Sequence, residues 1–363
     1  MMQFASWTFS VLMAFSFMMT VVPTVLGHPF VVVSHPFKGT GSKANDFEVL
    51  EWKNSSIIKT GFHFHMKTVN NGEMVFINNG RIGVVAQDDG SVGVVSLAAA
   101  NGKPTVLSAS LNMSSCDASS VVADPRNASR VFVLDEDRDG AICLLGVSAT
   151  GELVNEGLWM RAGGPITLLF SALSDFSSAA LLVSMDGTVS LLDLATKTIV
   201  TSVVAFPDQD ALVSGAALTA DAKHLIVLDD NIVTGKTRIG VVAIDISSHV
   251  LKAVQLIEDV VDPASVVCSP FNNAVVVASS QGNALLLFTY DAHNATHPLA
   301  SKGPIAPLGK APQLPQTMVN MAGPAAVVGR VFVAELSGVR QVPSGPYPAC
   351  LPCVLSSGMR LGN

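Results

Sequence analysis

Glycines that follow short aliphatic runs recur along this chain at Gly41, Gly90, Gly140, Gly187, Gly235, Gly282 and Gly338, spaced by 49, 50, 47, 48, 47 and 56 residues. Turn signals rich in Asn, Asp and Pro keep the same period, at 78–80, 124–126, 174–175, 220–222, 269–272 and 323–324. Two turn series with one period are hard to reach by chance. Few folds have a period of this length with about four short strands per unit: it points to an all-β chain, a seven-bladed β-propeller. The longest interval holds a proline-rich insert, 298–315.

The clearest unit predicts strand a at 166–170, strand b at 180–184, a tight turn at 185–187, strand c at 188–193 and strand d at 198–203. Strands a and b are almost continuously apolar, as expected where neighbouring sheets cover both faces. The stretch LLVSMDGTVSLLDLATKTIV (181–200) resembles the repeat of the YVTN and lactonase-like propellers, whose pattern is an aliphatic strand, a Gly turn, Thr-Val-x-aliphatic-x-Asp, then Thr-Gly-x-aliphatic. RVFVLDEDRDGAICLLGVSATGELV (130–154) and HLIVLDDNIVTGKTRIGVVAID (224–245) are weaker copies, and the resemblance spans roughly 30–342. It implies a fold shared by many functions, a lactonase-like hydrolase among them.

Three segments are expected: a signal peptide at 1–27, the propeller at 28–342 and an irregular tail at 343–363. In the first repeat, 29–33 aligns with strand b, 46–52 with strand c and 57–65 with strand d, so strand a is missing. The last repeat offers strands a and b, then runs into PSGPYPACLPC (343–353), whose prolines remove ladder donors. The last blade is therefore expected to be incomplete, through truncation, alternative splicing or a faulty gene model. Closure by an irregular tail is the alternative.

The first 27 residues carry no charged side chain, and an apolar block from about Phe9 to Val22 precedes a small residue at Gly27. That reads as a secretory signal, cleaved or retained as an anchor. Later apolar runs are too short for a spanning helix. A net charge of −7 argues against nucleic acid as a partner. The expectation is a secreted monomer, periplasmic if bacterial, that takes a protein or small-molecule ligand. Asn54, Asn112, Asn127 and Asn294 open N-x-Ser/Thr sequons and are glycosylation candidates. The five widely spaced cysteines do not read as a disulfide framework, and Cys350 and Cys353 lack the context of a redox motif.

The loops carry the candidate chemistry. In the segment VLDEDRDGAI (133–142), Asp135, Asp137 and Asp139 alternate before Gly140, as in the front half of a Ca2+ loop. Position twelve is Gly146 rather than Glu, which favours a plain hairpin turn over a calcium site. The b–c and d–a loops share one end of a propeller. There the sequence places Asp88, Asp89, Asp186, Asp229 and Asp230, with His35 in the equivalent place of the first repeat. The d–a loops add Asp208, Asp210, Glu258, Asp259 and Asp262. His63 and His65 share one face of a strand but lack a third ligand, which favours a solvent-facing pair. No catalytic fingerprint appears. Two readings follow: a non-catalytic propeller that binds through an acidic top face, or a lactonase-like hydrolase with a channel-mouth carboxylate or His35, with or without a metal.

Overall fold

The computed structural model describes residues 30–35, 46–53, 56–68, 70–78, 81–97, 103–113, 115–136, 140–148, 150–171, 178–208, 210–231, 233–268, 273–279, 284–307, 315–320, 331–335 and 338–342. Within them lie 26 strands and no helix, so none that could cross a membrane.

Each repeat folds into one antiparallel meander, because the tight turns return the chain after every four to ten residues. The first sheet is β1 (Phe30–His35), β2 (Asp46–Lys53) and β3 (Ser56–His65). The second is β4 (Asn70–Ile77), β5 (Ile82–Gln87), β6 (Ser91–Ser96) and β7 (Thr105–Asn112). The third is β8 (Ser120–Ala123), β9 (Arg130–Leu134), β10 (Ala141–Val147) and β11 (Leu153–Arg161). The fourth is β12 (Pro165–Leu169), β13 (Ala179–Ser184), β14 (Thr188–Asp193) and β15 (Thr198–Val204). The fifth is β16 (Val213–Leu218), β17 (His224–Asn231), β18 (Lys236–Asp245) and β19 (Val250–Ile257). The sixth is β20 (Pro263–Cys268), β21 (Ala274–Ser279), β22 (Ala284–Tyr290) and β23 (Leu299–Pro307). The seventh is β24 (Pro315–Asn320), β25 (Val331–Glu335) and β26 (Gly338–Val342).

The core lies in the seams between sheets rather than inside any one of them. Leu181, Val183 and Leu191 of the fourth sheet pack against Leu225, Val227 and Val242 of the fifth. The other face of the fifth, through Ile226, Leu228 and Val241, packs against Val266, Val277 and Phe288 of the sixth. Similar seams join the first to the second, the second to the third and the third to the fourth. Period-two alternation sends successive side chains to opposite seams, so an inner strand is apolar along most of its length. All six residues of β13 are buried accordingly. Each fully buried aliphatic contributes about 1.5–3 kcal/mol. The outer strands are half wet: five of the seven residues of β15 are exposed.

Polar ties cross the same seams. Gln255 on β19 acts as one more strand residue: its Nε2 donates to Leu299 O at 2.8 Å and its Oε1 accepts from Leu299 N at 2.9 Å. At the a–b end, Tyr290 of β22 donates to Asp221 Oδ2 at 2.9 Å, and its oxygen sits 2.8 Å from Nδ1 of buried His224. With the phenol proton directed at Asp221, His224 Nδ1–H is the donor. Burial pushes the His224 pKa down despite Asp221. It also pushes the Tyr290 phenol up.

Three features differ from the sequence expectation. Cys116 and Cys143 form a disulfide across 27 residues. The β7–β8 connection folds back over β10, an approach that linear spacing does not reveal. β23 runs through the proline-rich insert, pairing Pro304 with Leu286; as the outermost strand it tolerates missing donors. The last sheet has a third strand, β26, beyond strands a and b. The first sheet has three strands as expected, b, c and d. Among the described residues neither terminal sheet has a fourth, and the tail at 343–363 lies outside them.

Candidate functional site: the acidic end of the sheets

β17 ends in Asp229, Asp230 and Asn231, and turn residues 233–235 lead the chain into β18. Asn231 Oδ1 caps that turn by accepting from Val233 N and Thr234 N, both at 3.1 Å. Gly235 sits at φ 71°, the left-handed region that favours glycine. The hairpin register places Arg238 opposite Asp229. Both aspartates therefore belong to the strand rather than to an open b–c loop, which corrects the expectation for them. Alternation then turns Asp229 toward the fourth sheet and Asp230 toward the sixth.

On the fourth-sheet side, Asp229 is wholly buried. Its Oδ1 accepts from Leu212 N at 2.8 Å and its Oδ2 from Arg238 Nε at 2.8 Å. Arg238 also donates through Nη1 to Asp208 Oδ1 at 2.6 Å and lies 3.6 Å from Asp210 Oδ1. Lys236 Nζ bonds Asp210 Oδ2 at 2.8 Å and contacts Asp208 as well. The guanidinium stacks on Phe206, 5.0 Å from the ring centre. That ring fits because positions 187 and 240 are glycines: a Cβ on Gly240 would meet Phe206 Cε1 and Ala205 O at 3.1 Å. Hydrogen bonds from Lys236 and then Arg238 hold the Asp208 carboxyl well below the carboxylate range. Burial pushes Asp229 up, against the Leu212 N–H and Arg238. Burial also works against the Arg238 charge, but Asp229 and Asp208 outweigh it and raise its pKa.

On the sixth-sheet side, Asp230 meets Asp262, whose backbone sits at φ 44° in the d–a connection. Val260 N docks that connection onto Thr237 O at 3.1 Å. Burial, then the hydrogen bond and charge of Asp262, push Asp230 up to about 7. Two neighbours in sequence thus have different partners: Asp229 is matched by a cation, while Asp230 faces another carboxyl.

The remaining candidates do not converge on this cluster. Asp186 is exposed and accepts from Thr188 N at 2.9 Å, a turn cap. Asp89 holds Ser91 N at 3.2 Å and pairs with Lys67 at 3.0 Å; Asp88 beside it is exposed. Asp135 Oδ2 accepts from Asp117 N at 3.2 Å, while Asp137 and Asp139 lie outside the described residues. His35 ends β1 opposite Asp46. His63 and His65 are both exposed on β3. Among the described residues no three His, Cys, Asp or Glu side chains are grouped to hold a metal ion. Lys236, Arg238 and Phe206 were missed by sequence reasoning. The hairpin register across Gly235 was the available signal, since it sets a Lys-Thr-Arg run opposite the two aspartates.

No protein-family model matches the chain, and no curated protein matches it in sequence. Solved structures do match. A protein from Lactobacillus plantarum is 17% identical with a TM-score of 0.58, over 72% of this chain and 78% of that one. A 6-phosphogluconolactonase-like protein from Bacteroides uniformis is 12% identical with a TM-score of 0.58, over 85% of this chain and 89% of that one. The Cps50 (Swd1) β-propeller domain of Myceliophteria thermophila is 11% identical with a TM-score of 0.54, over 87% of this chain and 96% of that one. The neighbours thus include lactonase-like and WD40 propellers, and at such identities they share architecture alone. Stacked four-stranded meanders, apolar seams and these likenesses lead to one conclusion: the chain has a β-propeller fold.

Proposed function

We propose that this protein is a secreted binding propeller that takes a cationic partner on its acidic end. One observation carries the reading: the cations Lys236 and Arg238 are consumed internally by Asp208, Asp210 and Asp229. Asp88, Asp117, Asp186, Glu258 and Asp259 remain exposed at the same end. Lys67, paired with Asp89, and exposed Arg161 lie at this end too, but the acids outnumber them, and a net acidic surface attracts a basic ligand and accelerates its encounter. The uncharged N-terminal apolar block and the Cys116–Cys143 disulfide support an oxidising, extracytoplasmic compartment.

Titrating the full chain with an oligolysine peptide tests this. Saturable binding that weakens with salt and with the D88N/D186N/D259N triple variant is expected. Equal affinity for wild type and triple variant sinks it.

A second reading rests on Asp230. A carboxyl that titrates near 7 is poised for general acid–base work, as a lactonase-like hydrolase requires. The acidic surroundings disfavour a phosphorylated lactone, so neutral lactones are the substrates to assay. Turnover abolished by Asp230→Asn establishes the hydrolase; no turnover across a γ- and δ-lactone panel leaves the binding reading.

A further inference from the structure

The antiparallel meander gives each sheet two ends, and the acidic cluster occupies only one. At the other lie the a–b and c–d turns, and three of the four sequons map there by connectivity. Asn54 falls between β2 and β3, Asn127 between β8 and β9, and Asn294 between β22 and β23. Neighbouring turns meet at this end: Asn78 N donates to Ala128 O at 2.9 Å.

The described sequons differ in geometry. Asn112 ends β7 in ladder register with Ser91. Asn127 is half-buried, and the hydroxyl of its sequon partner Ser129 donates to Asn78 Oδ1 at 3.3 Å, away from its own asparagine. Asn294 is different. Its loop is closed by Asp291 N donating to Pro298 O at 2.8 Å, and residues 293–297 are all exposed. Asn294 Oδ1 accepts from His297 N at 2.9 Å and Thr296 N at 3.3 Å, with Thr296 Oγ1 3.5 Å away. The hydroxyl of the sequon thus lies between its own carboxamide and His297 Nδ1, which is 3.0 Å away. Every one of these bonds ends on Oδ1, so none of them engages Nδ2 of this exposed residue.

We infer that Asn294 carries an N-linked glycan, at the end of the propeller opposite the acidic cluster. The inference rests on the secretory part of the function proposed above. The donor is a lipid-pyrophosphate-linked oligosaccharide. Asn294 Nδ2 bonds to the anomeric carbon of the first sugar, the bond from that carbon to the pyrophosphate oxygen breaks, Nδ2 gives up one proton, and the lipid pyrophosphate leaves. No redox partner is needed. Hydrogen bonds to Oδ1 draw electron density from the amide, which eases loss of that proton. A glycan here stands clear of the exposed acids, so it leaves the binding surface open while solvating the opposite end.

The full chain is produced in eukaryotic secretory cells in two forms, one with its own N-terminus and one with a foreign secretory leader replacing residues 1–27. Peptides spanning Asn294 are mapped by mass spectrometry before and after an amidase that removes N-glycans and leaves Asp. The expected result is occupancy at 294 in both forms, lost in Asn294→Gln and Thr296→Ala and kept in Thr296→Ser. Occupancy only with the foreign leader upholds the site and overturns the secretion reading. An unmodified Asn294 in the foreign-leader form, with the Cys116–Cys143 disulfide formed, overturns the inference.

Discussion

Replacing Arg238 with Met tests whether the cluster at the fourth–fifth seam is organised around one cation. The change keeps the aliphatic stem over Phe206 and removes the guanidinium that bonds Asp229, Asp208 and Asp210. Asp229 is left wholly buried with the Leu212 N–H as its remaining donor among these bonds. Breaking a buried pair from one side costs about 3–5 kcal/mol, because an uncompensated charge stays behind. With an unfolding entropy of ~2.1 cal/mol/K per residue over roughly 300 folded residues, that lowers Tm by about 5–8 °C. Scanning calorimetry at neutral pH reads this directly. Two further arms sharpen it. The Asp229→Leu/Arg238→Met double variant removes both charges and should recover much of the loss, since an apolar pair of similar volume is often neutral. In the single variant Asp229 relieves its burial by taking a proton, so its deficit narrows as the pH falls. A single variant melting within about 1 °C of wild type, or a deficit that widens in acid, refutes the reasoning.

Asp230→Asn probes the opposite face. A carboxyl titrating at about 7 when folded, against about 3.9 unfolded, binds more protons in the folded state, so its contribution falls as pH rises from about 4 to 7. The variant should match wild type near pH 4 and melt higher above pH 7; equal Tm values at both ends would falsify the raised Asp230 pKa. Tyr290→Phe removes the hydroxyl shared by His224 and Asp221 and should cost about 1–3 kcal/mol with no change in ligand binding at the acidic end. Urea melts with unchanged midpoints would show that the tie across that seam carries no stability.

The repeat was legible because it is written in local chemistry. A turn that needs positive φ needs Gly at a set place, as at Gly90 and Gly187, and a strand covered on both faces is apolar along most of its length, as in β13, where five of six buried residues are aliphatic. Strand c of the clearest unit coincides with β14, residue for residue. The first sheet assembled from strands b, c and d as its alignment implied. Local rules were silent where tertiary context decides. Prolines that argue against a strand are harmless in β23, on an outer edge.

What the amino-acid order determined by itself was the unit: its length, its turns, its four strands and the acids at one end. What only the tertiary structure decided was which units' side chains meet. Cys116 and Cys143 pair because a connection folds back over the next sheet, and Asp229 and Asp230 part because alternation points them into different seams. Turn chemistry acts between residues a few positions apart, whereas a seam joins residues tens of positions apart. Their meeting, and hence their charge, depends on how neighbouring sheets stack.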